Sequence, residues 1–256
     1  MARVSAQIFT SRETSTDDPE ALPRKSLRNG FLEPSERITA HQLFFLVGMH
    51  GLGAAIISGS INLAIAVADY GTTKQSIHLF EFPNPLVGDA AVTVILQCII
   101  TWLIEVIIVN QDLKNGNIRP VGWIQEPQNR YLRWFWFLGR NDAGIDRGFL
   151  LSWVCFLFAQ ALRAFMTSII AFAVFIGPVI GLLKLGGTPS GADWIYPGGL
   201  KPSLETWKPE IFKAILGASL GFVITPPYAL FWLSRCGWAL KANEVNYGQK
   251  VEALKA

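Results

Sequence analysis

Four long apolar runs stand out from an otherwise polar chain: Leu43–Ala68, Leu86–Val109, Phe149–Leu183 and Ile211–Leu233. A helix rises about 1.5 Å per residue, so about 20 apolar residues cross roughly 30 Å of hydrocarbon. None of the runs alternates as a strand would. In hydrocarbon the backbone N–H and C=O groups must find partners inside the segment, so each run predicts a helix. The expected fold is an all-α integral membrane protein, a four-helix transmembrane bundle over residues 43–233. It is flanked by a polar N-terminal tail (1–42), read as disordered, and a short C-terminal tail (234–256). The third run is overlong for a perpendicular span. Tilt, extension past the interface or a bend would accommodate it, and a bend at Gly177 and Pro178, where a helix hydrogen bond is lost, is preferred.

Composition agrees with lipid as the solvent. Of 256 residues 51% are hydrophobic and 16% charged, and the mean hydropathy is +0.33, which excludes an ordinary soluble domain. A net charge of +3 gives no basic stripe for nucleic acid, so none is expected as a partner. Lys and Arg are uneven outside the runs: sixteen lie in the two tails and the second connection, four in the first and third connections. By the positive-inside rule both termini and the second connection are expected in the cytoplasm. The N-terminal tail lacks a cleavable-signal pattern, which makes the first run the expected signal anchor. The three cysteines, Cys98, Cys155 and Cys236, lie in or beside the runs, where no disulfide framework of the exposed loops can form.

Polar residues inside the runs are the candidates for chemistry. Asp89, Thr93, Gln97, Thr101 and Glu105 recur every four residues in the second run. Such a row stays on one side of a helix with a drift of about 40° per step. Charges in hydrocarbon turn toward other helices or water, so this face is expected to pack inward. Arg163 is the cation well inside the third run, with Gln160 beside it, and a Glu105–Arg163 pair competes with separate placement of each near the headgroups. Asp89 in a first helical turn is explained by the helix dipole, with a proton or cation path along the polar face as the alternative.

In the first run His50, Ser58 and Asn62 share a face, while Gly59 and neighbouring glycines narrow the helix for close packing. No second His or Cys stands at metal-binding spacing from His50, and no metal or cofactor is expected. In the fourth run Gly217 and Gly221 form a GxxxG packing pattern. Pro226 and Pro227 follow and are expected to break or kink the helix. A broken helix is the best sequence argument for transport. Gly217-Ala218-Ser219-Leu220-Gly221 matches the hydrolase GxSxG string, but no strand precedes it and all three histidines come earlier, so no catalytic residue is assigned and the chain is not expected to be an enzyme.

Two connections carry aromatics. From Asn129 to Arg140 the cations Arg130 and Arg133 mix with Trp134 and Trp136, which suits a helix in the interface or an aromatic belt entering the third span. The third connection is rich in Gly and Pro and holds Trp194, Tyr196 and Trp207, expected to anchor turns at the membrane surface.

The stretch Pro85-Leu86-Val87-Gly88-Asp89-Ala90-Ala91-Val92-Thr93, continuing through Gln97 and Thr101-Trp102-Leu103-Ile104-Glu105, resembles a family of uncharacterised fungal vacuolar membrane proteins with about four spans. The resemblance implies an endomembrane address, the vacuolar membrane above others, and no known activity. Of the functional classes left, a structural or scaffolding membrane component leads. A transporter or channel subunit using the polar second span is the alternative. Expected partners are the lipid bilayer and a second copy or another membrane protein.

Overall fold

The computed structural model describes residues 31–72, 75–82, 85–135, 149–196 and 207–255, with the side chains of 149–153 and 243–255 left aside. Four helices are long and apolar enough to cross a membrane: Ala40–Gly71, Leu86–Lys114, Val154–Gly186 and Lys208–Ala242. They belong to α1 (Ala40–Gly71), α2 (Leu86–Lys114), α4 (Phe149–Gly186) and α5 (Lys208–Lys255), with a short α3 (Arg130–Phe135) before α4. α1 has mixed winding. A capping box opens it, Thr39 Oγ1 accepting from the Gln42 N–H while Gln42 Oε1 accepts from the Thr39 N–H. A π-helix then runs over Phe44–Gly53, and α-winding resumes at Ala54.

The burial pattern of α2 shows why so apolar a helix is stable. Leu86, Ala90, Val94, Cys98, Trp102 and Val106 form one buried row, while Val92, Leu96, Ile100 and Ile104 form an exposed one. The exposed row is itself apolar, the composition that a lipid-facing surface would need. α5 is the most enclosed helix: half of its most apolar window is buried, against 17–33% for the other three.

α5 runs on as one helix past Pro226 and Pro227, without the expected break, and α4 continues as helix past Pro178. A proline removes one N–H and disfavours the helical conformation of the residue before it, but neighbouring turns can hold a membrane helix through that loss. The third run lies within one helix from Phe149 to Gly186. α5 also continues beyond the apolar run to Lys255, so helix occupies most of the expected C-terminal tail.

The fold is also not purely helical. The first connection contributes β1 (Ile77–His78) and the third contributes β2 (Thr188–Ser190) and β3 (Asp193–Tyr196), in an antiparallel sheet of order β1-β3-β2. His78 pairs with Ile195 and Ser190 with Asp193. Gly191, at φ 63°, sits in the two-residue β2–β3 turn, where a positive φ favours glycine. Pro189 is tolerated because β2 is an edge strand. Tyr196, 1% exposed, donates its hydroxyl hydrogen bond to the Leu183 carbonyl and ties the hairpin to the end of α4.

The described residues fall into two compact units, one drawn from Met1–Leu46, Ile104–Gln160 and Pro227–Ala256, the other from Val47–Leu103 and Ala161–Pro226. In the first, the segment after α2 docks on α5. The Val121 N–H donates to the Leu233 carbonyl at 3.1 Å, Trp238 Nε1 to the Ile124 carbonyl at 2.7 Å, and Lys241 Nζ to the Gly122 carbonyl at 2.6 Å. Gly237 makes this approach possible, since a Cβ there would stand 1.9 Å from the Val121 carbonyl oxygen. Gln42 Nε2 donates to the Arg119 carbonyl at 3.0 Å and to Ser35 Oγ at 2.8 Å, fastening the start of α1 to the same segment.

Candidate functional site

The second unit gathers ionisable side chains from three helix ends. Asp69 and Tyr70 close α1, Asp89 lies in the first turn of α2, and Glu210 and Lys213 lie in the first two turns of α5. Lys213 Nζ donates to Asp89 Oδ1 at 2.8 Å and to Asp69 Oδ2 at 3.5 Å, and the Tyr70 hydroxyl donates to Asp89 Oδ2 at 2.5 Å. The ammonium also stands 5.6 Å from the centre of the Tyr70 ring, within cation–π range. The Lys213 side chain is 4% exposed, Asp89 30% and Asp69 54%, so the charged head is buried while its partners open outward. Glu210 is 2% exposed, and its Oε2 has no hydrogen-bond partner among the described residues. Two carboxylates thus share one ammonium, with the buried Glu210 carboxyl one turn before Lys213 on α5, an arrangement suited to holding a cation or a proton as well as to fastening helices.

One to two turns deeper, Gln97 bridges two helices. Asn62 Nδ2 donates to Gln97 Oε1 at 3.2 Å and to the Ser58 carbonyl at 2.8 Å, and Gln97 Nε2 donates to the Gly217 carbonyl at 2.9 Å. The glycines explain the closeness. A Cβ on Gly217 would meet Asn62 Nδ2 at 2.3 Å, one on Gly221 would meet the Ala54 carbonyl oxygen at 2.7 Å, and one on Gly59 would meet Ala218 Cβ at 3.1 Å. α1 and α5 therefore approach backbone to backbone, as small residues permit in membranes. Thr93 and Thr101 lie half-buried on the same row of α2.

The structure brings Asp89, Gln97, Asn62, Gly59, Gly217 and Gly221 together. His50, Gln160, Glu105 and Arg163 are all buried. Glu105 and Gln160 belong to the first unit, Arg163 and His50 to the second. Arg130, Arg133 and Trp134 lie on α3, where Trp134 is 57% exposed and Arg133 pairs with Glu126. Trp136 lies outside the described residues.

Lys213, Asp69, Tyr70 and Glu210 escaped the sequence reading. The signal was present: Lys213 is a cation inside the fourth apolar run, and Glu210 precedes it by three residues on the same helical face.

At the hairpin, Asp193 is 4% exposed and accepts from the N–H groups of Phe80 at 3.1 Å and Glu81 at 3.3 Å. Burial would push its carboxyl up, but the N–H groups of Trp194, Glu81 and Phe80 and the His78 side chain hold it below the usual carboxylate value.

The chain is 33% identical over 177 residues to an uncharacterized protein of Schizosaccharomyces pombe, a match covering 68% of this chain and 34% of that protein. It is 40% identical over 86 residues to an uncharacterized protein of Saccharomyces cerevisiae, covering 33% of this chain and 27% of that one. The chain thus spans about a third of the length of the curated relatives it matches. No family model matches, and no solved structure does. What the matches establish is that this protein with four membrane-length apolar helices has uncharacterised homologues in fungi.

Proposed function

We propose that the protein is a structural or scaffolding component of an endomembrane, the vacuolar membrane above others, and not an enzyme. The observation that carries this reading is the use made of the polar row of the second span. Asp89 is engaged by Lys213 and Tyr70, and Gln97 by Asn62 and the Gly217 carbonyl. Polar groups consumed in this way fasten helices, and the glycine contacts beside them bring the helices close around Gln97, which supports packing over a path. The excess of Lys and Arg in the tails and second connection supports cytoplasmic termini, and the pairing of β1 with β3 supports first and third connections on one face of the membrane. The docked segment Arg119–Ile124 and the long α5 would then offer a cytoplasmic surface to a membrane-protein partner or a second copy.

A transporter or channel subunit is the second reading, favoured by Glu210 Oε2, buried beside the Lys213 cluster without a hydrogen bond among the described residues. Reconstitution into liposomes holding a proton-sensitive dye separates the two. Scaffolding expects the native protein, Asp89→Asn and Glu210→Gln to leave an imposed pH gradient as it stands in protein-free vesicles. Dissipation by the native protein that either variant abolishes would replace scaffolding with transport.

A further inference from the structure

We propose that His78, Glu81 and Asp193 form a binding site for a divalent transition-metal ion of the Zn2+ class, which staples the first connection to the β2–β3 hairpin. The three residues offer one imidazole nitrogen and two carboxylate oxygens, all within 4.8 Å of one another. His78 is on β1, Glu81 follows three residues later in the turn, and Asp193 opens β3, so ligands converge from two connections that the sheet already holds in register.

The imidazole gives the strongest argument. His78 Nδ1 is buried and makes no hydrogen bond among the described residues, yet it stands 3.4 Å from Asp193 Oδ2. That is too long for a charge-assisted hydrogen bond of about 2.7–2.9 Å. It matches the spacing of two ligands on one ion: bonds of about 2.0–2.2 Å in a tetrahedron place ligand atoms roughly 3.3–3.6 Å apart. Ser76 Oγ lies 3.0 Å from the other ring nitrogen, Nε2. In the tautomer whose Nε2–H donates to Ser76 Oγ, Nδ1 presents its lone pair toward Asp193, ready to share an ion with it. This is how an outer-shell hydroxyl fixes the tautomer of a metal-ligating histidine.

Asp193 is ready for the role, because the Phe80 and Glu81 N–H groups orient its two oxygens and leave further lone pairs free. Glu81 is exposed and can swing in as the third ligand. Water would take the fourth position.

The test uses the full chain purified in detergent and treated with a chelator. Titration with Zn2+ followed by calorimetry, and with Co2+ followed by visible absorption, should give one ion per chain and the intense band of a tetrahedral nitrogen–oxygen site. Glu81→Gln and His78→Gln should each weaken Zn2+ binding by about tenfold or more. Glu81→Gln is the control for folding, since its side chain is exposed, and its metal-free melting should match the native chain. Absence of saturable binding, or Glu81→Gln and His78→Gln binding as tightly as the native chain, would overturn the site and leave His78 and Asp193 as a loose ion pair.

Discussion

Lys213 Nζ stands 2.8 Å from Asp89 Oδ1, joining the second turn of the fourth membrane-length helix to the first turn of the second through a side chain that is itself 4% exposed. Removing one partner of a buried ion pair strands the other, at about 3–5 kcal/mol. Asp89 keeps 30% exposure, so solvent screens part of this, and about 2 kcal/mol is expected for Lys213→Met or Asp89→Asn. A double-mutant cycle by thermal unfolding in detergent should give strong coupling; additive losses would separate the two residues.

Substitutions at the glycines should rank by what a Cβ meets. Gly221→Ala presses on the backbone of Ala54, and Gly217→Ala displaces Asn62 from Gln97, each expected to cost about 1–3 kcal/mol. Gly59→Ala, with its nearest contact at 3.1 Å, should be the mildest. Melting temperatures of the three variants check the order.

Gly237→Ala should be worse than any of these. Its Cβ would occupy the Val121 carbonyl oxygen, so the Arg119–Ile124 segment must lift away and give up the Val121–Leu233 and Trp238–Ile124 hydrogen bonds. Limited proteolysis between α2 and α3 should accelerate in this variant and remain slow in Gly217→Ala.

The hairpin has an alkaline limit. Burial first, and the negative charge of Asp193 second, push the Tyr196 phenol from 10.0 up to about 12. A raised value means the fold favours the neutral phenol, so its contribution is complete below about pH 10 and disappears as pH rises through about 12. Native chain and Tyr196→Phe, unfolded at stepped pH, should therefore converge across that window. Below it the variant should be weaker by about 1 kcal/mol, for the hydrogen bond lost to Leu183.

The four helices were legible because hydrocarbon imposes length and composition on each segment alone. Partners were not. That Asp89 needs company follows from its place in an apolar run, but that the company is Lys213 and Tyr70 depends on the rotational phase of three separate helices. The sheet was invisible for another reason: β1 is two residues and β2 three, too short for alternation to register. At Pro226 and Pro227 the missing N–H groups are visible in sequence, whereas the neighbouring turns that carry the helix on without a break are not. Gly237 was readable only as a weak helix residue until the segment lying against it was placed.

The π-wound stretch Phe44–Gly53 gives α1 a reserve of length. Hydrogen bonds there span i to i+5, so a one-residue deletion can be absorbed by tightening to ordinary α pitch, leaving Asn62 and Tyr70 aimed as before. The same deletion after Ala54 would rotate both by about 100°. Length polymorphism among relatives should therefore be tolerated ahead of Ala54 and purged behind it.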